Sequence, residues 1–501
     1  MPAQVTTRAQ VNGYRFLIRR LEHALIRGDS RMIHDPMRGQ MRALMVGLVI
    51  AVLITGACGV LAFFKPAPNL GDAQIVLSKS SGAPFVRIGD RVHPVLNLAS
   101  ARLIVGKNDS PKAVDEKFLN ALPRGPMVGI VGAPTSIQGP DDIATSSWTV
   151  CDTLEIPDAT QTTGGTSLQT TVLANDPVLS GDIRAADPAQ AILAEVSGTT
   201  YLIYDGVRAP IDLSDVVVVN GLHLQGAPLR PVSLGFLNAL PLVNPITPVV
   251  IDGVGEPSPV VGADYPTGSI VKTTDSRGEQ LYVVLRDGLQ PISPATADII
   301  MYGASDALRM SARDIAPAVV AGTPIVHRLS VDHYPTVSPQ IVPTNPDRVA
   351  CMGWQRPNTA AQAGVRLLVG HRLPVPDGSQ SVPLANADGS GPRLDSVYLT
   401  PGSGEYVEAT GVEPDSQSTG QLFYVSDTGL RYHVKDYPTA DALGVTGVKT
   451  SDGPTSAPQR APWPVLSLLP AGPELSQEAA LVAHDGVAAD PDSVGVQPPQ
   501  R

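Results

Sequence analysis

One segment limits what this chain can be: the 22 residues from Ala43 to Phe64 contain no charged side chain. As an α-helix they would extend about 33 Å, which is enough to cross the hydrocarbon core of a bilayer. Arg38 and Arg42 precede the segment and only Lys65 follows it directly. The positive-inside rule then places the amino terminus in the cytoplasm and the large remainder on the other side of the membrane.

Two other interpretations of this segment have to be weighed. A cleaved signal peptide has a short basic region and a short apolar run, whereas here 42 residues precede a run of 22. Lipidation is suggested by Gly56-Ala57-Cys58, which resembles the end of a lipoprotein signal, but Thr55 fits that pattern poorly. We therefore interpret Cys58 as a residue that faces lipid or packs against another helix.

Charge is distributed unevenly along the chain. Residues 1–42 hold eight arginines and three acidic residues, a formal charge of +5, and the remaining residues carry −16. An acidic main region argues against nucleic acid as a partner. The length of 501 residues predicts several domains, and 47 glycines with 48 prolines favour many turns and short strands.

The amino-terminal segment from Thr7 to Arg27 is predicted to be a helix. Thr7 and Gln10 have the spacing of a capping box, and Gly28 stands where a helix would end. One face is apolar, and most arginines lie elsewhere. Such a helix could lie on anionic lipid headgroups or dock on another protein, and the pattern alone leaves both open. The candidate docking residues are Tyr14, Arg15, Leu17, Arg19 and Arg20.

Only two cysteines follow the membrane segment, Cys151 and Cys351. Trp148 lies three residues before the first and Trp354 three residues after the second. Compartments outside the cytoplasm permit disulfides, so a bond between these cysteines is predicted. In the chain-entropy account, closing a loop of 200 residues contributes about 5 kcal/mol. Two isolated cysteines lack the paired spacing of zinc ligands.

Four segments of the chain share one pattern: a short strand, a glycine turn, a second strand and a possible helix start. The turns centre on Gly89, Gly206, Gly288 and Gly429. A second motif follows, because residues 118–123 and 236–241 both read FLNALP. Residues 122–126 (LPRGP) are answered by 469–473 (LPAGP), and the third copy has only the weaker SARDIAPAV from residue 311.

The intervals between these turns are 117, 82 and 141 residues. The longer intervals hold Cys151 and Cys351, so the inserts are predicted to meet in a central domain stapled by the disulfide. Copies two and three are then contiguous, and copies one and four flank the core. The expected fold class is α+β: one transmembrane helix, then an elongated part with a β-rich stapled core and four related repeat domains in a quasi-two-fold arrangement.

The corresponding domains follow the order of the chain. They are a cytoplasmic basic helix (1–42), the transmembrane helix (43–64), repeat domain 1 (72–133), the first part of the core (134–195), repeat domain 2 (196–265), repeat domain 3 (266–325), the second part of the core (326–400), repeat domain 4 (401–481) and a disordered tail (482–501).

Catalytic motifs were sought and none was assigned. The closest approach to a phosphate-binding loop, GVTGVKT at 444–450, has the wrong spacing, and Gly106-Lys107 is followed by Asn108. No GxSxG, HExxH or calcium-binding loop occurs. The histidines are scattered, and His93 and His433 occupy corresponding strands of two repeats, which favours a structural role. No catalytic, cofactor-binding or metal-binding residue is therefore predicted.

Several strings of the chain resemble one known family. They are TRAQVNGYRF at 7–16 with Arg19-Arg20, EHAL at 22–25, Arg31-Met32 and Asp35-Pro36; HPVLNLASARL at 93–103; WTVCD at 148–152; and Leu469-Pro470, Gly472-Pro473 and Leu475-Ser476. In these strings the chain resembles the EccB family, membrane components of the mycobacterial ESX (type VII) secretion systems.

The resemblance implies a structural subunit of the secretion complex in the inner membrane, with a cytoplasmic amino terminus and a periplasmic domain that builds part of the channel. It implies the partners EccC, EccD, EccE, the mycosin protease and other EccB copies. Some family members are described as ATPases, so ATP hydrolysis is the alternative, with ATP as its cofactor. Against it, the cytoplasmic portion of about 42 residues is too short for a nucleotide pocket, and the periplasm has no ATP pool.

Overall fold

The computed structural model of the chain describes residues 6–31, 36–64, 73–138, 144–155, 167–275, 278–304, 312–446, 449–450, 453–454 and 458–487. The chain divides into two compact units, Met1–Gly71 and Asp72–Arg501. Ser311, Lys65 and the tail beyond residue 487 lie outside the described residues, so the predictions made for them are not addressed by the structure.

The first unit begins with helix α1, Arg8–Arg27. Thr7 caps it, since its side chain accepts a hydrogen bond from the Gln10 amide while the Gln10 side chain accepts one from the Thr7 amide. Gly28 ends the helix in the left-handed conformation, with φ of 68°. The predicted capping box and carboxy-terminal cap are both confirmed.

The second helix of this unit is α2, Pro36–Phe64. Its stretch Gly39–Leu61 has a mean hydropathy of 2.6 and is exposed throughout. Among the described residues it is the one helix that is long and apolar enough to cross a membrane. This stretch contains the predicted span from Ala43 to Leu61 and also takes in Arg42, which lies just before the uncharged run.

The second unit is built from short strands and short helices. Its first half contains β1 (Ile75–Ser78), β2 (Pro84–Ile88), β3 (Arg91–Pro94), α3 (Leu98–Val105), β4 (Lys112–Val114), α4 (Glu116–Leu119), β5 (Met127–Val128), β6 (Thr145–Glu155), β7 (Ser167–Leu173), β8 (Ile183–Ala185), β9 (Gln190–Val196), β10 (Thr199–Tyr204), β11 (Val207–Ile211), α5 (Val216–Gly221) and α6 (Leu234–Asn238).

The second half of this unit continues in the same style. It contains β12 (Ile270–Asp275), β13 (Gly278–Val284), β14 (Leu289–Ile292), α7 (Pro294–Gly303), β15 (Arg313–Asp314), α8 (Pro317–Gly322), β16 (Gln340–Ile341), β17 (Val349–Pro357), β18 (Gly364–Gly370), β19 (Val382–Pro383), β20 (Ser396–Tyr398), β21 (Gly404–Thr410), β22 (Leu422–Ser426), β23 (Arg431–Val434), α9 (Tyr437–Leu443), β24 (Lys449–Thr450), β25 (Gly453–Pro454), β26 (Gln459–Pro462), α10 (Trp463–Leu466), α11 (Gln477–Ala480) and β27 (Ala483–His484).

Four of the sheets have four strands each and the same topology: β3-β2-β1-β4, β11-β10-β9-β16, β14-β13-β12-β15 and β23-β22-β21-β26. In each sheet three antiparallel strands follow one another along the chain, and the fourth strand lies parallel to the first of them. A helix follows the third strand every time. These are the four repeats that the turn pattern indicates.

The turns of the repeats follow the expected chemistry in three cases out of four. Asp205 and Gly206 both have positive φ, 43° and 74°, which is the type I′ arrangement of a tight hairpin. Gly89 and Gly429 also have positive φ. Gly288 does not have positive φ. Glycine is needed there for space, since a Cβ would lie 2.3 Å from the carbonyl oxygen of Pro324.

Several predicted domain boundaries differ from the strand pairing. β9 belongs to the sheet of repeat 2, so that repeat begins before residue 196. β16 pairs with β9 although it follows repeat 3 in the chain, so repeat 3 is inserted into repeat 2. The tail predicted from residue 482 starts too early, because β27 pairs with β5 of repeat 1. Pairing between distant segments decides these limits.

The centre of the second unit is a seven-stranded sheet with the order β19-β20-β7-β6-β17-β18-β8. It combines the two inserts, as predicted from the cysteine positions. One face buries Trp148 and Trp354 in a core that also contains Phe236 of repeat 2 and Val407 and Val465 of repeat 4. Repeats 2 and 4 therefore pack directly against the central sheet.

Repeats 1 and 3 pack against repeats 4 and 2, respectively, and in the described part of the chain they reach the central sheet only through them. Ala99 and Leu103 of repeat 1 share a core with Leu443 of repeat 4, and Ile299 of repeat 3 shares one with Val218 of repeat 2. The expectation that copies one and four flank the core is therefore wrong for copy one, since repeats 2 and 4 occupy those places. The repeats thus form two pairs, repeats 2 and 3 and repeats 4 and 1.

Candidate functional site: an exposed helix face and a stapled sheet

Helix α1 presents an apolar face that is open to solvent. Tyr14, Leu17 and Leu25 are 67%, 60% and 79% exposed, and Val11 and Leu21 on the same face are also exposed. At 3.6 residues per turn these five side chains lie on one side of the helix. An apolar stripe of this width is normally covered, so it indicates a docking or lipid-contacting surface.

The five candidate docking residues do not share one face of α1. Tyr14 and Leu17 belong to the apolar face, whereas Arg15 and Arg19 lie on one flank and Arg20 on the opposite side. All five are exposed. The structure therefore places them around the helix, where a partner would have to contact more than one side to engage them all.

Sequence reasoning missed one residue of this helix, His23. It is the single buried residue of α1, although Glu22 and Leu25 close to it are exposed. By helical spacing it lies on the side away from the apolar face. No local signal distinguishes it, because a histidine between Glu22 and Ala24 fits an exposed helix equally well.

The predicted disulfide joins Cys151 on β6 to Cys351 on β17. The two residues are direct partners in an antiparallel ladder, and their Cα atoms are 4.0 Å apart. Trp148 and Trp354 are partners in the same ladder. Because each tryptophan is three positions from its cysteine, an odd offset along the strand, the tryptophans and the disulfide lie on opposite faces of the sheet. Both cysteines are fully buried, which suits a structural bond.

A buried carboxylate beside the disulfide was not predicted. Asp152 has no exposed surface and accepts hydrogen bonds from the amide and hydroxyl of Ser233 and from the hydroxyl of Thr170. Burial raises its pKa to about 6, against the lowering effect of these hydrogen bonds and of Arg230. Ser233 caps α6, so Asp152 links the central sheet to repeat 2.

Arg230 lies in the same interior region. Burial lowers its pKa to about 10, although Asp152 and Asp347 favour its charged form. Its Nη1 donates to the backbone oxygen of Asp347 at 2.7 Å. A signal for this network existed in the string WTVCD, since strand alternation puts Asp152 on the same face as Trp148 and Val150, where a carboxylate needs partners.

The repeats meet through their first helices. A Cβ on Gly221 of α5 would lie 2.7 Å from the Cα atom of Ile299 on α7, so glycine permits this close approach. In the other pair, the Arg102 guanidinium of α3 donates to the carbonyl oxygen of Leu443 on α9 at 2.9 Å. Both pairs are thus fixed by specific contacts between helices.

Residues considered for chemistry are placed as follows. Gly444 ends α9 in the left-handed conformation, so the GVTGVKT stretch follows a helix, and residues 447–448 of it lie outside the described part. His93 Nδ1 lies 3.0 Å from the carbonyl oxygen of Pro126, and His433 Nδ1 lies 3.3 Å from Glu474. Within the described ranges, no three His, Cys, Asp or Glu residues are grouped to hold a metal ion.

The fold and its surfaces describe a single-pass membrane protein with a stapled, repeat-built domain, and comparison with known proteins identifies the family. A family model described as type VII secretion system ESX-1, transport TM domain B, matches residues 3–489. The chain belongs to this EccB family of ESX secretion membrane components.

Relatives match over nearly the full chain. The ESX-3 secretion system ATPase EccB3 of Mycolicibacterium smegmatis is 37% identical over 98% of this chain and 93% of its own length. The ESX-5 secretion system ATPase EccB5 of Mycobacterium tuberculosis is 35% identical over 97% and 95%.

Solved structures agree with this assignment. A chain of an intact ESX-5 inner membrane complex superposes with a TM-score of 0.70 at 33% identity, covering 99% of both chains. A chain of the EccB3 dimer from the ESX-3 core complex gives 0.68 at 34% identity, covering 82% of this chain and 100% of that one.

Proposed function

We propose that this chain is a structural subunit of an ESX inner-membrane complex that acts by assembly. The unit after the membrane helix builds part of the periplasmic channel, and α1 docks on other subunits in the cytoplasm. The observation that carries the proposal is the combination, in one chain, of an exposed apolar helix face before the membrane span and a disulfide-stapled unit after it.

The orientation rests on two independent features. Arg38 and Arg42 precede the uncharged run of residues 43–64 in α2, which favours a cytoplasmic amino terminus. The disulfide between Cys151 and Cys351 requires an oxidising compartment, which is the periplasmic side of the inner membrane. Both features support a periplasmic location for the large unit.

The proposed partners are EccC, EccD, EccE, the mycosin protease and further EccB copies. Support for assembly comes from the solved relatives, one in an ESX-5 inner membrane complex and one in an EccB3 dimer. The apolar face of α1 supports a protein partner on the cytoplasmic side, because a docking helix normally inserts such a face into a groove.

ATP hydrolysis is a second candidate, since the relatives are named ATPases. A phosphate group is normally held by backbone amides at a helix amino terminus. Gly444, the first glycine of the closest loop-like stretch, instead stands at the carboxy end of α9. We therefore favour the structural role. Turnover of ATP by the purified chain that is abolished by one substitution would favour the enzyme.

The structural role is tested by purifying the complex. The tagged chain is solubilised from membranes in mild detergent, and the co-purifying proteins are identified by mass spectrometry. The proposal expects EccC, EccD and EccE in constant ratio to this chain, together with untagged copies of it. Recovery of the chain without other ESX subunits would contradict the proposal.

A further inference from the structure

A cleft of about 620 Å³ lies between repeats 2 and 3. Helices α5 and α7 form its walls, and the lining residues are Val216, Val217, Asn220, His223, Asp298, Met301 and Tyr302. Val216 is 70% exposed and Tyr302 46% exposed, so apolar surface is open at its mouth. Exposed apolar surface with a few polar groups is typical of a binding site.

The walls of this cleft are held in place. Helices α5 and α7 approach each other closely at Gly221. A Cβ on this residue would lie 2.7 Å from Ile299 Cα, so only glycine fits there. A Cβ on Gly303 would lie 3.2 Å from Val217 Cγ1. Asp298 lies on α7, and its Oδ2 accepts a hydrogen bond of 3.1 Å from Ser338 Oγ, which orients the carboxylate. A partner would therefore meet a preformed site, which lowers the entropy lost on binding.

His223 stands at a position where repeats 1 and 4 have glycine, whereas the helix of repeat 3 ends at Ala304 in an extended conformation. In α3 and α9 the residue after the helix is Gly106 or Gly444, each with positive φ, and the next amide donates to the carbonyl five residues back. Repeat 2 has the same hydrogen bond, from Leu224 to Val219, but the left-handed residue is His223, with φ of 55°. In repeat 2 an imidazole therefore lines the cleft at a position where glycine would supply no side chain.

The chemistry of the lining favours one kind of group. Among the described residues that line it, Asp298 is the single carboxylate and none is a lysine or arginine, so these residues would repel an anion. Tyr302 and His223 supply aromatic rings, and Val217 and Met301 supply apolar surface. A guanidinium on a methylene stem uses all three features, because it donates to carboxylates, stacks on aromatic rings and packs its stem on apolar side chains.

We propose that this cleft receives an arginine side chain of a neighbouring subunit of the membrane complex. The guanidinium pairs with Asp298 and stacks on Tyr302, and its methylene groups pack on Met301. This inference rests on the proposed structural role, since it needs the chain to be assembled with other proteins. A lysine would fit less well, because its ammonium lacks the planar face and paired donors of arginine.

The test uses the full-length chain in its native complex. Benzoylphenylalanine replaces Val216 at the mouth of the cleft and, as a control, Val250, which is 82% exposed and does not line the cleft. After illumination, cross-linked peptides are identified by mass spectrometry. The cross-link from position 216 is expected to reach an arginine-containing peptide of another subunit or another copy.

Variants of the cleft decide the chemistry. Asp298→Asn keeps an acceptor for Ser338 but removes the charge, and is expected to lower the position-216 cross-link about tenfold. Tyr302→Ala is expected to lower the position-216 cross-link to the same extent. Replacement of the identified arginine by lysine is expected to lower it as well. The control cross-link and recovery of the complex stay unchanged. Three results in an intact complex would overturn the inference. Position 216 gives no cross-link, it gives a cross-link that Asp298→Asn does not reduce, or it is cross-linked to lipid only. Loss of the whole complex in the wild type would instead contradict the proposed function.

Discussion

Cys151 and Cys351 face each other across the ladder of β6 and β17, with their Cα atoms 4.0 Å apart. Two hundred residues separate them in the chain, and the intervening segment contains repeats 2 and 3. The bond therefore joins the beginning and the end of the segment 151–351, which makes up about half of the second unit. Its loss should affect the stability of that unit more than its topology.

Replacement of Cys151 by Ser is expected to lower the free energy of unfolding of the second unit by about 2–5 kcal/mol. The reason is the loss of a long cross-link together with a hydroxyl placed in a buried apolar cluster. Denaturant unfolding followed by tryptophan fluorescence measures the effect. Cys58→Ser, at an exposed position of α2, is the control and should change little. Reaction of both Cys151 and Cys351 with a thiol reagent in the unreduced native chain would disprove the bond.

Asp152 gives the second unit a specific pH dependence. Its pKa is raised by burial from 3.8 to about 6, so at pH values between these the folded chain holds a proton that the unfolded chain releases. The contribution of this group to the free energy of unfolding is complete below about pH 4 and is lost as the pH rises through about 6.

Asp152→Asn removes this titration. From pH 4 to pH 7, the difference in free energy of unfolding between wild type and variant should move in favour of the variant by on the order of 2–3 kcal/mol. Urea unfolding at a series of pH values measures it, with the exposed Asp377→Asn as control. A difference between wild type and Asp152→Asn that is the same at every pH would show that Asp152 does not titrate in this range.

The contact between repeats 2 and 3 depends on glycine at position 221, where there is no room for a Cβ. Gly221→Ala would place a methyl group 2.7 Å from the Cα atom of Ile299, and we expect a loss of about 1–3 kcal/mol as α5 and α7 move apart. Gly322→Ala is the matched control, because it too replaces the last residue of a six-residue helix but meets open space. Equal stabilities of the two variants would contradict the close approach.

Local patterns predicted much of this architecture. The cap residues Thr7 and Gly28, the apolar span, the hairpin glycines and the disulfide each depend on a few neighbouring residues or on one residue pair. The pairing of strands that lie far apart in the sequence could not be predicted. Nothing in Gln340–Ile341 indicates that it pairs with Gln190–Ala191. For the same reason the attachment of repeat 1 to repeat 4, and the burial of Asp152 under Ser233, were missed.

The orientation of the chain can be checked directly. A protease added to spheroplasts should degrade the second unit, from Asp72 onward, and spare α1. The expectation follows from Arg38 and Arg42, which precede the uncharged run of α2, and from the need of the disulfide for an oxidising compartment. A cytoplasmic marker protein serves as the control for intact membranes. Degradation of α1 with protection of the second unit would reverse the proposed topology.

The exposed face of α1 carries the central claim, that this chain acts by docking with other subunits. A lipid-bound helix tolerates exchange of arginine for lysine, since headgroup attraction depends mainly on charge. A docked helix is more demanding, because the planar guanidinium makes paired hydrogen bonds and the apolar face fits a groove. Two double variants separate these cases: Arg15→Lys with Arg19→Lys, and Tyr14→Ala with Leu17→Ala.

The most direct measurement is the amount of EccC that co-purifies with each variant from detergent-solubilised membranes. Phe16→Ala with Ile26→Ala is the matched control, because it removes exposed apolar side chains that lie off the apolar face of α1. The account predicts that both test variants stay in the membrane and retain markedly less EccC than the control. Full retention of EccC in both test variants would show that α1 is only a lipid anchor.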